Sequence, residues 1–353
     1  MITAGDDSIG CFIRVNPWLK VLKFESSCEK FYPSAVMQPQ IEFCRRRFLK
    51  QSLFGAAALA TLPGVGFSRE PAEVTFGFSL YGMRKLTVKE ALRVCAEIGY
   101  DCVELACMAD WPSAPETLSA ADRQELRSQL NGSGLELGGL MENVAAVADD
   151  QTHAANLERL KRACELGHDL APESTPIVET VLGGQPAAWE QTREKMVERL
   201  QDWGQVAAAQ KAIIALKPHV GGALHTPDGA VWLMQQLKSD WLRLAYDYSH
   251  FELRALPLKA SLDAMLPQAK FIHVKDTAGN AGKFQFLLPG DGRTKYSDYF
   301  GELKSRGYAG PMVVEVSGQL HTRADYDPVQ AAKRSYANLA PLLKEAGIRK
   351  PRS

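Results

Sequence analysis

The chain has 353 residues, 46% of them hydrophobic and 23% charged, and its 41 Lys and Arg balance 41 Asp and Glu. That composition suits a globular protein with a sizeable core and excludes a disordered chain, a collagen and a coiled coil. The lack of a basic excess argues against a nucleic-acid binder, and seven cysteines without a CxxC pair point to neither a zinc site nor a disulfide framework.

Residues 1–36 carry acids and aromatics without periodicity and read as an uncertain pre-sequence, with Met37 an alternative start. Residues 45–60 read RRRFLKQSLFGAAALA, three arginines leading into a short run of small and apolar side chains. This resembles a twin-arginine export signal, so 37–68 is expected to be a signal peptide cleaved near Ser68. The apolar stretch 53–67 is interrupted by Gly55, Pro63 and Gly64 and is too short to cross a hydrocarbon core of about 30 Å as a helix. Without residues 1–68 the chain keeps 285 residues, with 33 Lys and Arg against 36 Asp and Glu, a net charge of −3. The resemblance implies a periplasmic or otherwise exported protein that folds before export, with no stable membrane span once the signal is removed.

Residues 69–353 alternate strand and helix. Apolar, β-branched or aromatic runs at 74–80, 101–107, 135–141, 176–182, 212–217, 242–247, 270–276 and 311–316 read as eight strands. Between them, segments such as VKEALRVCAEIGY and KMVERLQDWGQVAAAQ carry apolar residues at helical spacing, and Gly99, Gly307 and Gly347 close three of the helices. Strands buried on both faces and a repeated strand-helix unit predict an α/β fold, a (β/α)8 TIM barrel. The alternative, a doubly wound sheet, wants a glycine-rich phosphate turn after the first strand, and Leu80-Tyr81-Gly82-Met83 does not supply one.

A barrel places its active site at the carboxyl ends of the strands, so the polar residues ending each run are informative. The fifth run ends in Lys217-Pro218-His219 and the sixth in Asp247-Tyr248-Ser249-His250; the seventh carries His273-Val274-Lys275-Asp276 and the eighth Glu315. Together with Gly99-Tyr100-Asp101-Cys102-Val103-Glu104-Leu105, this pattern resembles the xylose isomerase-like superfamily of sugar isomerases and epimerases. The resemblance implies one divalent ion of the Mn, Mg, Co or Zn kind, with Asp247, His273 and Glu315 matching three of its four ligands. It implies that His250 binds a substrate hydroxyl and that Lys275 and Asp276 shape the mouth of the site.

Strand five departs from the family: Lys217 stands where ketose 3-epimerases have a glutamate that ligates the metal and moves a proton. An ammonium cannot ligate, so either three protein ligands hold the ion, with His219 or water completing the shell, or no ion is held and Lys217 supplies the positive charge. A Schiff base on Lys217 is a further route, requiring burial to free its lone pair. Glu179, inside the fourth run, and Glu142-Asn143, after the third, are candidates to contact substrate hydroxyls or to pair with Lys217. His225 is read as a loop cap. The segment 283–292, long and aromatic and ending in Gly-Asp-Gly, reads as a loop covering the site.

The expected function is a sugar isomerase or epimerase that removes a proton next to a carbonyl of a carbohydrate or polyol, with Glu315 as base and Lys217 or an ion as electrophile. Lyase or hydrolase action on an oxidised sugar, and a sugar-binding barrel without turnover, are the alternatives. The expected partner is a small carbohydrate and not nucleic acid.

Overall fold

The computed structural model describes residues 72–350, so the expected pre-sequence and export signal lie outside the described residues. Eight parallel strands close into a barrel: β1 (Glu73–Ser79), β2 (Cys102–Ala106), β3 (Glu136–Met141), β4 (Ile177–Val181), β5 (Ile213–Lys217), β6 (Leu242–Asp247), β7 (Ala269–Val274) and, eighth around the ring, β10 (Ala309–Val314). The expected TIM barrel is what forms, each strand within about two residues of its sequence-based position. Residues 276–287 are a finding: rather than a plain loop, they make an antiparallel hairpin of β8 (Asp276–Asn280) and β9 (Lys283–Leu287).

Among the described residues the α-helices are α1 (Val88–Ile98), α2 (Ala120–Ser133), α3 (Asp150–Leu170), α4 (Trp189–Gln210), α5 (Pro227–Leu237), α6 (Tyr248–Glu252), α7 (Leu258–Met265), α8 (Tyr296–Arg306), α9 (Gly318–His321) and α10 (Pro328–Ala346). Their ends follow local chemistry. Thr87 and Glu90 form a reciprocal capping box that starts α1, and Gly99 ends it at φ 110°, a left-handed conformation that a side chain resists. A Cβ there would also lie 2.7 Å from the Tyr336 hydroxyl. Gly307 and Gly347 close α8 and α10 in the same way.

Cys102, Ala215, Ala245, Phe271 and Val313 form a small apolar cluster of their own, apart from the main core. Small residues make room for it: a Cβ on Gly139 would lie 2.7 Å from the Phe271 ring. Phe271 packs edge-on beneath His273, ring centroids 4.8 Å apart, which makes the apolar plug the floor of the polar site. Register shifts just before Glu104 on β2 and before Ala245 on β6 re-aim the carboxyl ends of those strands.

At the other end, Arg349 follows α10 and holds Asp101 through two hydrogen bonds of 2.7 and 2.8 Å while donating to the Gly99 carbonyl. A cavity of about 930 Å³ lined by Gly99, Asp101, Tyr336, Arg349 and Lys350 lies there, away from the catalytic end. Among the described residues no helix is long and apolar enough to cross a membrane.

Candidate active site

Four carboxylates enter the carboxyl end of the barrel from alternate strands, the second, fourth, sixth and eighth: Glu104, Glu179, Asp247 and Glu315. The nitrogen groups that meet them come from the fifth and seventh: Lys217, His273 and Lys275. Isolated charges buried at this depth would be prohibitively unfavourable, so the set must be self-neutralising.

Lys217 is at the centre. Its Nζ lies 3.1 Å from Glu315 Oε2, 2.9 Å from His273 Nδ1 and 3.0 Å from Glu179 Oε1. The last contact is an ion pair off the line of a hydrogen bond, since neither Glu179 oxygen has a hydrogen-bond partner. An ammonium only donates, so His273 Nδ1 accepts and Nε2 carries the proton toward Glu104 Oε2, 3.0 Å away. Burial pulls the Lys217 pKa down, but Glu179, Glu315 and Asp247 outweigh it and hold the amine protonated. That withholds the lone pair a Schiff base needs, which corrects the expectation of such a route.

Lys275 stands inside the site rather than at its mouth. Its Nζ pairs with Asp247 Oδ2 and lies 2.7 Å from Glu315 Oε2. Asp247 Oδ1 accepts from the Ser249 amide and hydroxyl at 3.1 and 2.5 Å. Burial would raise the carboxyls of Asp247 and Glu315, yet the flanking lysines hold both well below the usual carboxylate range, helped by His250 at Asp247 and His273 at Glu315. Glu179 goes the other way: burial raises it, with Lys217 only partly compensating.

The remaining expected residues divide. His250 uses both ring nitrogens within the protein, Nδ1 accepting from the Val220 amide at 3.3 Å and Nε2 lying 3.2 Å from Asp247 Oδ2. It positions Asp247, and leaves no nitrogen for the substrate hydroxyl expected of it. Burial lowers its pKa to about 4. His219 packs tilted against it with ring centroids 4.2 Å apart, takes the Gly221 amide on Nδ1 and is lowered to about 2 by burial, leaving Nε2 as an uncharged ring nitrogen. Glu179 is fully buried against Lys217, so it is a counter-ion beneath the site and not a group that touches substrate hydroxyls. Asp276 accepts from the amides of Gly290 and Thr294 and ties down the chain after the hairpin. Glu142 pairs with Arg159 of α3, not with Lys217, and burial pushes it up to about 7. His225 turns its Nδ1 onto the Ala223 carbonyl at 2.6 Å, as a loop cap does.

Glu315 is the acid with an opening. Its side chain is 12% exposed, whereas those of Glu104 and Asp247 are fully covered, and its contacts all fall on Oε2, leaving Oε1. Above this end of the barrel, Tyr81 stacks on Trp111 at 5.2 Å and meets His321 edge-on at 4.6 Å. From the hairpin, the Phe286 ring lies 5.0 Å from Lys275 Nζ and 5.3 Å from the His250 ring, so the segment expected to cover the site does lie on it. Sequence reasoning missed the rim rings, which sit in a short 3-10 turn after β1 (Tyr81), a loop after β2 (Trp111) and the short helix α9 after β10 (His321). It also gave Glu104 no site role, although a lone acid in the apolar run Cys102-Val103-Glu104-Leu105-Ala106 is the same signal that marked Glu179.

Metal-ligand spacing is present twice: the donor atoms of Asp247, His273 and Glu315 lie within 4.8 Å of one another, as do those of Glu104, Glu179 and His273.

L-Ribulose-5-phosphate 3-epimerase UlaE of Escherichia coli (strain SE11) is 24% identical to this chain over 237 residues, 64% of this chain and 81% of the relative. Among solved structures, the apo form of 3-keto-D-glucoside 4-epimerase YcjR from E. coli aligns with a TM-score of 0.62 at 17% identity, covering 76% of this chain and all of that one. The IolI protein with a bound zinc atom aligns with a TM-score of 0.64 at 19% identity, over 77% and 99% of the two chains. A family model described as xylose isomerase-like TIM barrel matches residues 92–342. With that match over a closed eight-stranded barrel, the chain belongs to the xylose isomerase-like TIM barrel family.

Proposed function

We propose that this protein epimerises or isomerises a keto sugar by moving a proton at the carbon next to the carbonyl. The observation that carries the reading is Glu315: a carboxylate at the mouth of the barrel with one oxygen fixed by Lys217 and Lys275 and the other facing the opening. Oε1 takes the proton from the carbon and the electron pair moves onto the carbonyl oxygen; return of that proton to the same face gives the starting sugar, its delivery to the former carbonyl carbon gives the isomer, and protonation of the opposite face by a second acid gives the epimer. The developing oxyanion is stabilised by Lys275 and, through its field, Lys217, preorganised ammoniums in a largely dry site. His219 Nε2 and the Tyr81–Trp111 stack are placed to orient the sugar ring. The sugar epimerases among the relatives support the same chemistry.

The three donors Asp247, His273 and Glu315 have the spacing of a metal centre, but each already faces a lysine ammonium, at Asp247 Oδ2, His273 Nδ1 and Glu315 Oε2. This donor set does not fit a divalent ion with the lysines in place, and no step above passes through one.

The test is to incubate the protein with ketoses and 3-keto glycosides in D2O and follow the C–H next to the carbonyl by proton NMR. Deuterium uptake with an epimeric product is expected. An unsaturated product would show elimination after the same proton removal. Saturable binding without exchange, consistent with Lys217 having its contacts satisfied inside the protein, would make this a sugar-binding barrel and overturn the proposal. Export by the twin-arginine route is part of the same reading, supported by residues 45–60; fractionation of cells expressing the chain with Arg45, Arg46 and Arg47 replaced by lysine checks it.

A further inference from the structure

The structure assigns Lys217 and Lys275 to the place a divalent cation takes in a metal-dependent barrel of this kind, so that this chain excludes the ion and carries its electrophile in covalent form. The inference rests on the proposed proton transfer for its purpose, but not for its test. Two separate ammoniums, from β5 and from the residue after β7, converge on one oxygen, Glu315 Oε2, at 3.1 and 2.7 Å. Each also holds a second donor of the same cluster: Lys217 takes His273 Nδ1 at 2.9 Å and Lys275 takes Asp247 Oδ2. At Asp247 Oδ2, His273 Nδ1 and Glu315 Oε2 the donor atom is therefore already spent on an N–H, and two positive charges stand where a third group of charge +2 would have to enter.

The supports behind the lysines suit ammoniums better than a metal. Glu179 and Glu104 are fully buried and face inward from the fourth and second barrel strands. Glu179 lies 3.0 Å from Lys217, giving that ammonium a second counter-charge besides Glu315. Glu104 accepts from His273 Nε2 and so turns a lone pair on Nδ1 toward Lys217. Two lysines carry the same charge as one divalent ion, yet they cannot dissociate, and their geometry is set by two strands and not by coordination. The site stays charged wherever divalent ions are scarce or chelated.

The experiment is metal titration of the purified full-length protein after chelator dialysis, by calorimetry with Mn2+ and by the visible absorption of Co2+. For the parent protein neither saturable heat nor ligand-field bands are expected at the site, and chelator should leave deuterium exchange unchanged. Lys217→Glu combined with Lys275→Met should bind about one equivalent of either ion, because it restores a donor and removes both ammoniums. Stoichiometric binding by the parent, lost in Asp247→Asn, would overturn the inference. So would failure of a double variant with a native circular dichroism spectrum to bind, since the lysines would then not be what keeps the ion out. Should the double variant not fold, Lys217→Met combined with Lys275→Met serves, since it frees Asp247 Oδ2, His273 Nδ1 and Glu315 Oε2 together; Co2+ absorption is expected to appear, and its absence from a folded variant counts against the inference. Product analysis reads the proposed reaction separately, so an inactive protein that still excludes metal would reject the function and keep the inference.

Discussion

Replacing Lys217 with methionine keeps the length of the side chain and removes its charge, and the cost can be worked from what surrounds it. Among the described residues Lys217 is the only cation within ion-pair distance of Glu179, which is fully buried and has no hydrogen bond on either oxygen. Glu315 keeps Lys275, so Glu179 is the group left stranded. A carboxylate in that position escapes by taking up a proton. From an ordinary glutamate near 4.3, doing so at about pH 7 spans about 2.7 pH units at about 1.4 kcal/mol each, close to 4 kcal/mol. At about pH 5 the same step is near 1 kcal/mol. The folded variant holds a proton that its unfolded chain releases, so its stability relative to the parent falls as pH rises through this window. Urea unfolding at both pH values, followed by circular dichroism with the slope checked for constancy, measures it. A loss below about 1 kcal/mol that does not change with pH would refute the reasoning, because it would mean that Glu179 already carries its proton beside Lys217 in the parent.

Phe286→Ala removes the ring over Lys275 and His250 without touching a charged group, and should raise KM several-fold for a substrate identified by exchange, with a smaller effect on kcat; unchanged KM would show that the hairpin is not part of the binding surface. Arg349→Met breaks the two bonds to Asp101 and the one to the Gly99 carbonyl, and should cost about 2–3 kcal/mol in urea unfolding while leaving activity intact, since the clasp is at the far end of the barrel. Gly139→Ala forces a methyl to within 2.7 Å of the Phe271 ring and should destabilise by about 1–3 kcal/mol, read as a lower midpoint in thermal or urea unfolding. A neutral Gly139→Ala would mean that the apolar plug under His273 yields more readily than a packed barrel interior should.

Most of the barrel was legible because its strands are buried on both faces and stand out as unbroken apolar runs between helical periodicity. The hairpin was not: Lys283-Phe284-Gln285-Phe286-Leu287 alternates, but it lies beyond the eight-unit pattern and pairs with only Asp276–Asn280. Lys217, Asp247, His273 and Glu315 were readable as polar residues ending apolar strands, and the structure brings their charged and imidazole atoms together. Lys275 was expected at the mouth from the resemblance, which matches positions along the chain and not the depth at which a side chain ends. Of the two roles open to Glu179, pairing with Lys217 is the one that forms; the pattern tells which acids point inward, but the tier on which each one stops depends on register, including the shift before Glu104. Glu142 was misassigned because Arg159 reaches it from α3, and no strand spacing encodes a helix-borne partner.

The alternation of acids and nitrogen groups around the last strands has a bearing on how such a site can change. Each lysine is shared by two carboxylates, so replacing Lys217 with glutamate alone would crowd five acids around one remaining ammonium. The arrangement can be entered or left only through paired exchanges or with an ion at hand to bridge the gap. Its residues should therefore behave as one unit under substitution, with the effect of any single replacement decided by which of the others is already in place.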